Sequence, residues 1–173
     1  MDISKKNYEK EVILVSINSE KYNDLFFKLI RQLKNKKVCL VTTNKGYHAL
    51  IEILKQKKIN EKNFYIVDCV TKAVTTPKKE TNCTFLSSPQ AINEISLECS
   101  KAIANGFDFV IIDSLSTLLV YHSGMNLAHL MHNLISQVKQ RNKTKLIMTI
   151  SNKDKKSDLF EKISIMSDKI INL

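Results

Sequence analysis

The sequence predicts an α/β fold of three layers, a mostly parallel sheet covered by helices on both faces. Three observations predict it. Short apolar runs rich in β-branched residues recur along the chain, as in Val12 to Ile17 and Phe109 to Ile112. Runs of that length without polar alternation read as strands buried on both faces. Between them lie segments whose apolar residues follow i, i+3, i+4, i+7 spacing, the mark of a helix with one buried face. The two kinds of segment alternate from end to end, which favours a parallel sheet with crossover helices. No repeat, low-complexity tract or boundary interrupts the pattern, so the expectation is one domain over residues 1–173. A chain of that length buries roughly 70% of its unfolded surface.

The first strand is read from Glu11 to Ile17. Asn18 or Ser19 then caps a helix whose apolar face is Tyr22, Leu25, Phe26, Leu29, Ile30 and Leu33, with Glu20 at its positive end and Lys34 to Lys37 at its negative end. Val38 to Thr43 is the second strand. Asn44-Lys45-Gly46 turns into a helix with Tyr47, Leu50, Ile51 and Leu54 on one face. Phe64 to Val70 is the third strand, and the polar stretch from Thr71 to Asn82 is an exposed loop. After a short strand at Cys83 to Ser87, Ser88-Pro89 signals a helix start, a Ser cap with Pro in the first position. That helix ends at Asn105-Gly106. Phe107 to Asp113 is the organising strand. Leu115 to Tyr121 is read as helical, and Leu127, Leu130, Met131, Leu134, Ile135 and Val138 mark a strong amphipathic helix. Lys145 to Ile150 is a strand, Ser157 to Met166 a short helix, and Ser167 to Leu173 a closing strand.

Composition excludes several classes. The four cysteines are widely spaced with no Cys-x-x-Cys pair, which reads as small buried hydrophobes in a reducing compartment. The polar N-terminus carries no signal peptide, and no apolar run approaches the ~20 residues of a membrane span. The expectation is a cytoplasmic protein without membrane association. His122, His129 and His132 cluster in sequence but lack further ligands at metal spacing, so no metal site is expected there. The net charge of +10 is almost all lysine, with Arg31 and Arg141 as the two arginines. Arginine is the residue suited to bidentate phosphate and base contacts, so nucleic-acid binding is not favoured. Three basic clusters, at residues 55–58, 139–145 and 153–156, read as a solvated rim. The alternative is that some converge above the strand ends and hold an anion.

Asp113 ends the buried run Phe109-Val-Ile-Ile and is followed by Ser114. An ionised carboxylate is costly inside such a core, so it belongs at the C-terminal edge of the strand, where open α/β sheets place ligands. One reading makes it a relic of a ligand site. The other, favoured here because no phosphate cradle accompanies it, makes it a cap for the next helix, satisfied by backbone N–H groups.

The second half resembles the RecA/KaiC-like branch of P-loop ATPases. Phe109-Val-Ile-Ile-Asp113-Ser114 is similar to the Walker B strand, Thr144 to Ile150 to the neighbouring sensor strand, and Ser167 to Leu173 to the strand that closes the KaiC-like core. The order of elements from Val12 to Leu173 is compatible with that core. The resemblance implies that Asp113 matches the aspartate that orients magnesium through water. The first half departs from the family. A P-loop reads Gly-x-x-x-x-Gly-Lys-Ser/Thr, and here the turn is Val15-Ser-Ile-Asn-Ser-Glu-Lys-Tyr22. Lys21 aligns with the Walker lysine, but Val15 and Glu20 stand for the glycines and Tyr22 for the magnesium-binding hydroxyl. A carboxylate beside a phosphate cradle repels its ligand by several kcal/mol when partly buried. The family's catalytic glutamate after the second strand is replaced by Thr42-Thr43-Asn44, and a threonine takes no proton at neutral pH.

These departures favour a degenerate domain without ATP hydrolysis, whose enzymatic status leans to none. The favoured function is a regulatory or scaffolding role through association with itself or a protein partner, with no cofactor. The resemblance points toward archaeal proteins of that type. The alternative is a domain that still binds ATP with magnesium, or another anion, at the strand ends. Its tentative ligand residues are Lys21, Asp113, Ser114 and Lys153, with Asp113 serving a magnesium ion if one is bound. A second alternative is nucleic-acid binding through lysines.

Overall fold

The computed structural model describes residues 12–141 and 143–173. They form one sheet of seven strands: β1 (Val12–Ile17), β2 (Val38–Thr42), β3 (Phe64–Asp68), β4 (Cys83–Phe85), β5 (Phe109–Asp113), β6 (Lys145–Ser151) and β7 (Lys169–Asn172). Their order across the sheet is β4-β3-β2-β5-β6-β1-β7, and every pairing is parallel. Seven helices connect them: α1 (Tyr22–Arg31), α2 (Tyr47–Gln56), α3 (Thr71–Val74), α4 (Ile92–Ala104), α5 (Leu115–Leu118), α6 (Gly124–Gln140) and α7 (Asp158–Met166).

The sheet divides the apolar side chains into two cores, because neighbouring residues of a strand point to opposite faces. Ile13 and Val15 of β1 and Phe109 and Ile111 of β5 pack under α1 and α2, with Phe26, Ile30 and Leu50. Val12 and Leu14 of β1 and Val110 and Ile112 of β5 pack under α4, α6 and α7, with Ile95, Leu134 and Ile163. The central strands are buried on both faces, as their unbroken apolar runs require. All four cysteines are buried and unbridged. Burial pushes the Cys39 and Cys83 thiols up to about 12.

Several boundaries differ from the sequence reading. Glu11, read as the start of the first strand, lies outside the described residues. Ser88-Pro89 does not open α4: Ser88 Oγ accepts from Gln90 N at 3.1 Å and closes a separate turn, and the helix begins at Ile92. Ala91, at φ −79° and ψ 63°, separates turn from helix. Pro89 O is held by His122 Nε2 at 3.0 Å. The loop after β3 begins with the helical turn α3, because Asp68 receives the N–H groups of Val70 and Thr71. The segment after Asp113 is helical only from Leu115 to Leu118. Among the described residues, no helix is long and apolar enough to cross a membrane.

Parallel pairing aligns the C-terminal ends of the strands. Thr42 lies opposite both Asp68 and Asp113, and Val15 lies opposite Thr149. Four elements therefore meet at one edge: the turns after β1, β2, β5 and β6.

Candidate functional site

The turn from β1 to α1 is short and closed by its own side chains. Asn18 Oδ1 accepts from Glu20 N (3.0 Å) and Lys21 N (3.4 Å). Ser19 N donates to Asn152 Oδ1 at 3.0 Å, and Asn18 N donates to Leu173 O at 2.8 Å. Four successive backbone N–H groups are thus directed at protein oxygens. A phosphate cradle needs such groups turned outward, with residues of positive φ to form the concavity. Among the described residues, positive φ occurs at Asn35, Lys58 and Gly106 alone, all far from this turn in sequence.

Tyr22 opens α1 and reaches across β6 to β5. Its hydroxyl donates to Asp113 Oδ1 at 2.7 Å and also lies 2.7 Å from Thr149 Oγ1. Thr149 Oγ1 is 3.2 Å from the same carboxylate oxygen and 3.1 Å from Ile112 O. Tyr22 and Thr149 carry one hydroxyl proton each. Two protons serve only two of these four oxygen–oxygen contacts, and a proton on Asp113 serves a third. Burial raises the Asp113 carboxyl above its ordinary value, opposed by Lys45 and by the hydrogen bonds from Tyr22 and Thr149. Burial, and then the neighbouring carboxylate, raise the Tyr22 phenol as well.

Lys45 supplies the cation. Its Nζ stands 4.0 Å from Asp113 Oδ2 and donates to Asn44 Oδ1 at 3.0 Å. Thr42 fixes the Lys45 backbone: its Oγ1 lies 3.2 Å from Lys45 N and 2.9 Å from Lys45 O. Sequence reasoning did not single out Lys45 or Thr149. The basic residue just after β2 was a signal for the first. Nothing local marks the second.

Thr43, which the resemblance set against a glutamate, is buried and holds backbone. Its Oγ1 accepts from Ser114 N at 2.9 Å and donates to Asp113 O at 2.9 Å. The Asp113–Ser114 peptide between them is cis. Ser114 caps α5, with Oγ 3.3 Å from Thr117 N. The favoured reading of Asp113 as a helix cap is therefore corrected: the cap is Ser114, and Asp113 is held by side chains. At the end of β3, two strands away, Asp68 does cap helices. It accepts from Tyr47 N at 2.7 Å, Val70 N at 2.7 Å and Thr71 N at 2.9 Å.

Of the four residues named from sequence, Asp113 and Ser114 are buried and adjacent, and Lys21 and Lys153 are exposed. The last two stand in neighbouring turns joined by the Ser19–Asn152 bond. Of the three basic clusters, one lies at the strand ends: residues 153–156 follow β6, on the same edge as Asp113. Residues 55–58, 139–141 and 143–145 span the C-terminal ends of α2 and α6 and the turns after them, at the opposite edge of the sheet from Asp113. His129 and His132 are exposed on α6. Among the described residues, no three His, Cys, Asp or Glu side chains come together as a metal cluster.

No protein-family model matches the chain, and no curated protein matches it in sequence. Solved structures do match in fold. The chain is similar to the flagellar accessory protein FlaH from Methanocaldococcus jannaschii, with a TM-score of 0.61 and 16% identity over 95% of this chain and 71% of that one. It is also similar to a KaiC-like protein from the hyperthermophilic archaeon Pyrococcus horikoshii, with a TM-score of 0.65 and 15% identity over 95% of this chain and 73% of that one. The fold is RecA/KaiC-like.

Proposed function

We propose that this chain is a non-catalytic RecA/KaiC-like domain, with a degenerate P-loop, that acts as a regulatory or scaffolding protein by association with itself or a partner. The observation that carries the reading is the Tyr22 phenol bonded to Asp113 beneath a turn whose N–H groups are already taken. A magnesium-orienting aspartate works as an anion open to water and metal. Here the carboxyl is 2% exposed, and burial favours its neutral form. Thr43, committed to backbone, leaves no general base at the second strand. The exposed apolar side chains Val120, Tyr121 and Met125, close together in sequence, suit association better than chemistry.

Two measurements test this together. Phosphate release from Mg-ATP should stay at background, and calorimetric titration should give millimolar or weaker affinity, unchanged in Asp113→Ala. Light scattering on the same samples should show a defined oligomer or, with a partner present, a complex. Turnover that disappears in Asp113→Ala would overturn the reading.

A second reading keeps an anionic ligand, including ATP with magnesium, at this edge. It is favoured by Lys45 beside Asp113 and by the exposed Lys21 and Lys153 on adjoining turns. Submillimolar Mg-ATP binding that weakens in Lys45→Ala would establish it in place of the first.

A further inference from the structure

The positive charge of this protein is not spread over its surface. Five segments carry the chain from a helix end into β2, β3, β5, β6 or β7: residues 31–38, 55–64, 101–109, 139–145 and 167–169. Because every strand is parallel, the described residues of all five lie along the N-terminal edge of the sheet, opposite Asp113. Together they hold fourteen lysines and arginines against three carboxylates, a net +11 in a chain whose total is +10. The rest of the molecule is therefore close to neutral. Lysine-rich composition alone does not produce that segregation.

Helix termini account for only part of it. A cation in the last turn is favoured by the helix dipole, and Arg31 does donate to Lys57 O at 2.8 Å. Lys34, Lys36, Lys37, Lys143 and Lys145 lie beyond the last helical residue. Two of the three carboxylates on this edge are already engaged. Asp108 receives Lys37 N at 2.7 Å and lies 3.9 Å from Lys36, and Asp168 pairs with Lys139 at 3.4 Å. Several basic side chains lie over aromatic rings, as Lys37 over Phe107 and Lys145 over Phe109. Those rings are buried, so no aromatic platform is offered to an unstacked base. A cavity of about 200 Å³ opens on the same edge, with Arg31, Lys34 and Lys58 at its rim and no carboxylate in its lining.

We propose that this edge is a binding surface for the phosphate backbone of nucleic acid, read without regard to sequence. Strands about 4.8 Å apart place the row from β3 to β7 over about 24 Å. That matches about seven base pairs of duplex at 3.4 Å each. Lysine meets phosphate as a point charge and does not make the bidentate base contacts of arginine, so affinity here is electrostatic and carries no sequence code. An anionic membrane is the poorer fit, because none of the large exposed apolar side chains falls in these five segments.

The test is fluorescence anisotropy of a labelled 20-base-pair duplex titrated with the full chain from about 20 to 200 mM salt. Contact with about four phosphates gives a slope of log K against log salt near −3 to −4. The triple variant Lys34→Glu, Lys62→Glu, Lys143→Glu should weaken binding tenfold or more. A control with the same change in net charge, Lys72→Glu, Lys155→Glu, Lys156→Glu, should change it less than threefold. All six are exposed, and circular dichroism checks that both variants fold. Scrambling the duplex sequence should leave affinity unchanged. Three results each overturn the proposal: no binding at 20 mM salt, equal loss in both triples, or phosphatidylserine vesicles that displace the duplex at matched charge concentration.

Discussion

Tyr22→Phe removes one oxygen from the centre of the candidate site and leaves the ring, which stacks on Phe26 at 6.4 Å. The lost group is the donor to Asp113 at 2.7 Å and the neighbour of Thr149 at 2.7 Å. A hydrogen bond to a charged group contributes about 1.5–3 kcal/mol, so about 2 kcal/mol is expected where Asp113 is ionised. The Tyr22 bond favours the charged carboxyl. The cost should therefore be largest at high pH and shrink as pH falls and Asp113 takes up its proton. At this chain length 2 kcal/mol corresponds to about 6 °C in Tm. Urea unfolding at pH 4, 6 and 8 measures it directly, and the same substitution made in Asp113→Asn should cost at least 1 kcal/mol less. The reasoning fails if the cost at pH 8 is below 0.5 kcal/mol, or if it is the same at pH 4 and pH 8.

Three further outcomes follow from the same geometry. Asp113 has its folded pKa raised, so the folded state binds the extra proton, and stability is lost as pH rises through that folded value. Asp113→Asn should accordingly gain stability relative to the parent as pH rises, and a relative loss between pH 4 and pH 8 would show a carboxylate stabilised as an anion. Thr43→Val leaves Ser114 N without its acceptor and should cost about 1–3 kcal/mol in urea unfolding, against a near-neutral Thr43→Ser. In Gly46→Ala the new Cβ would stand 2.6 Å from Thr71 Oγ1, which Asp68 holds at 2.5 Å. About 2 kcal/mol should be lost, and most of that clash cost should vanish in the double variant with Thr71→Ala, which removes the obstructing oxygen.

The sheet was legible because its information is local. An unbroken apolar run such as Phe109 to Ile112 has one comfortable place in a layered fold, buried on both faces, and the helical spacing on either side states what covers it. The resemblance of the second half to the RecA/KaiC-like core rested on the same runs, and the solved structures share that fold. Legibility ended where two local signals competed. Ser88-Pro89 has the chemistry of a helix start, yet Ser88 closes its own turn, and Glu94 three residues inside α4 receives Ser87 N at 2.8 Å instead. Both arrangements satisfy the same kinds of donor, and in the observed one Pro89 O is also held by His122, distant in sequence.

The site was half legible for a related reason. The mismatch at Val15, Glu20 and Tyr22 could be read from the turn, since each residue is wrong for a cradle on its own. The arrangement of Tyr22, Asp113 and Thr149 could not be read, because it is built across strands. Tyr22 meets Asp113 only once β6 lies between β1 and β5, and Thr149 joins them only because its register falls opposite Val15. Seven residues separate Val15 from Tyr22, but 91 separate Tyr22 from Asp113. A helix whose first residue is a small hydroxyl leaves open the space between turn and carboxylate. A helix whose first residue is tyrosine sends a ring into that space and a donor to its far side. The same position thus decides whether the strand-end aspartate faces a ligand or a side chain. On the proposed reading, Tyr22→Ser alone should not confer nucleotide affinity in calorimetric titration with Mg-ATP, because the N–H groups from Asn18 to Lys21 remain taken.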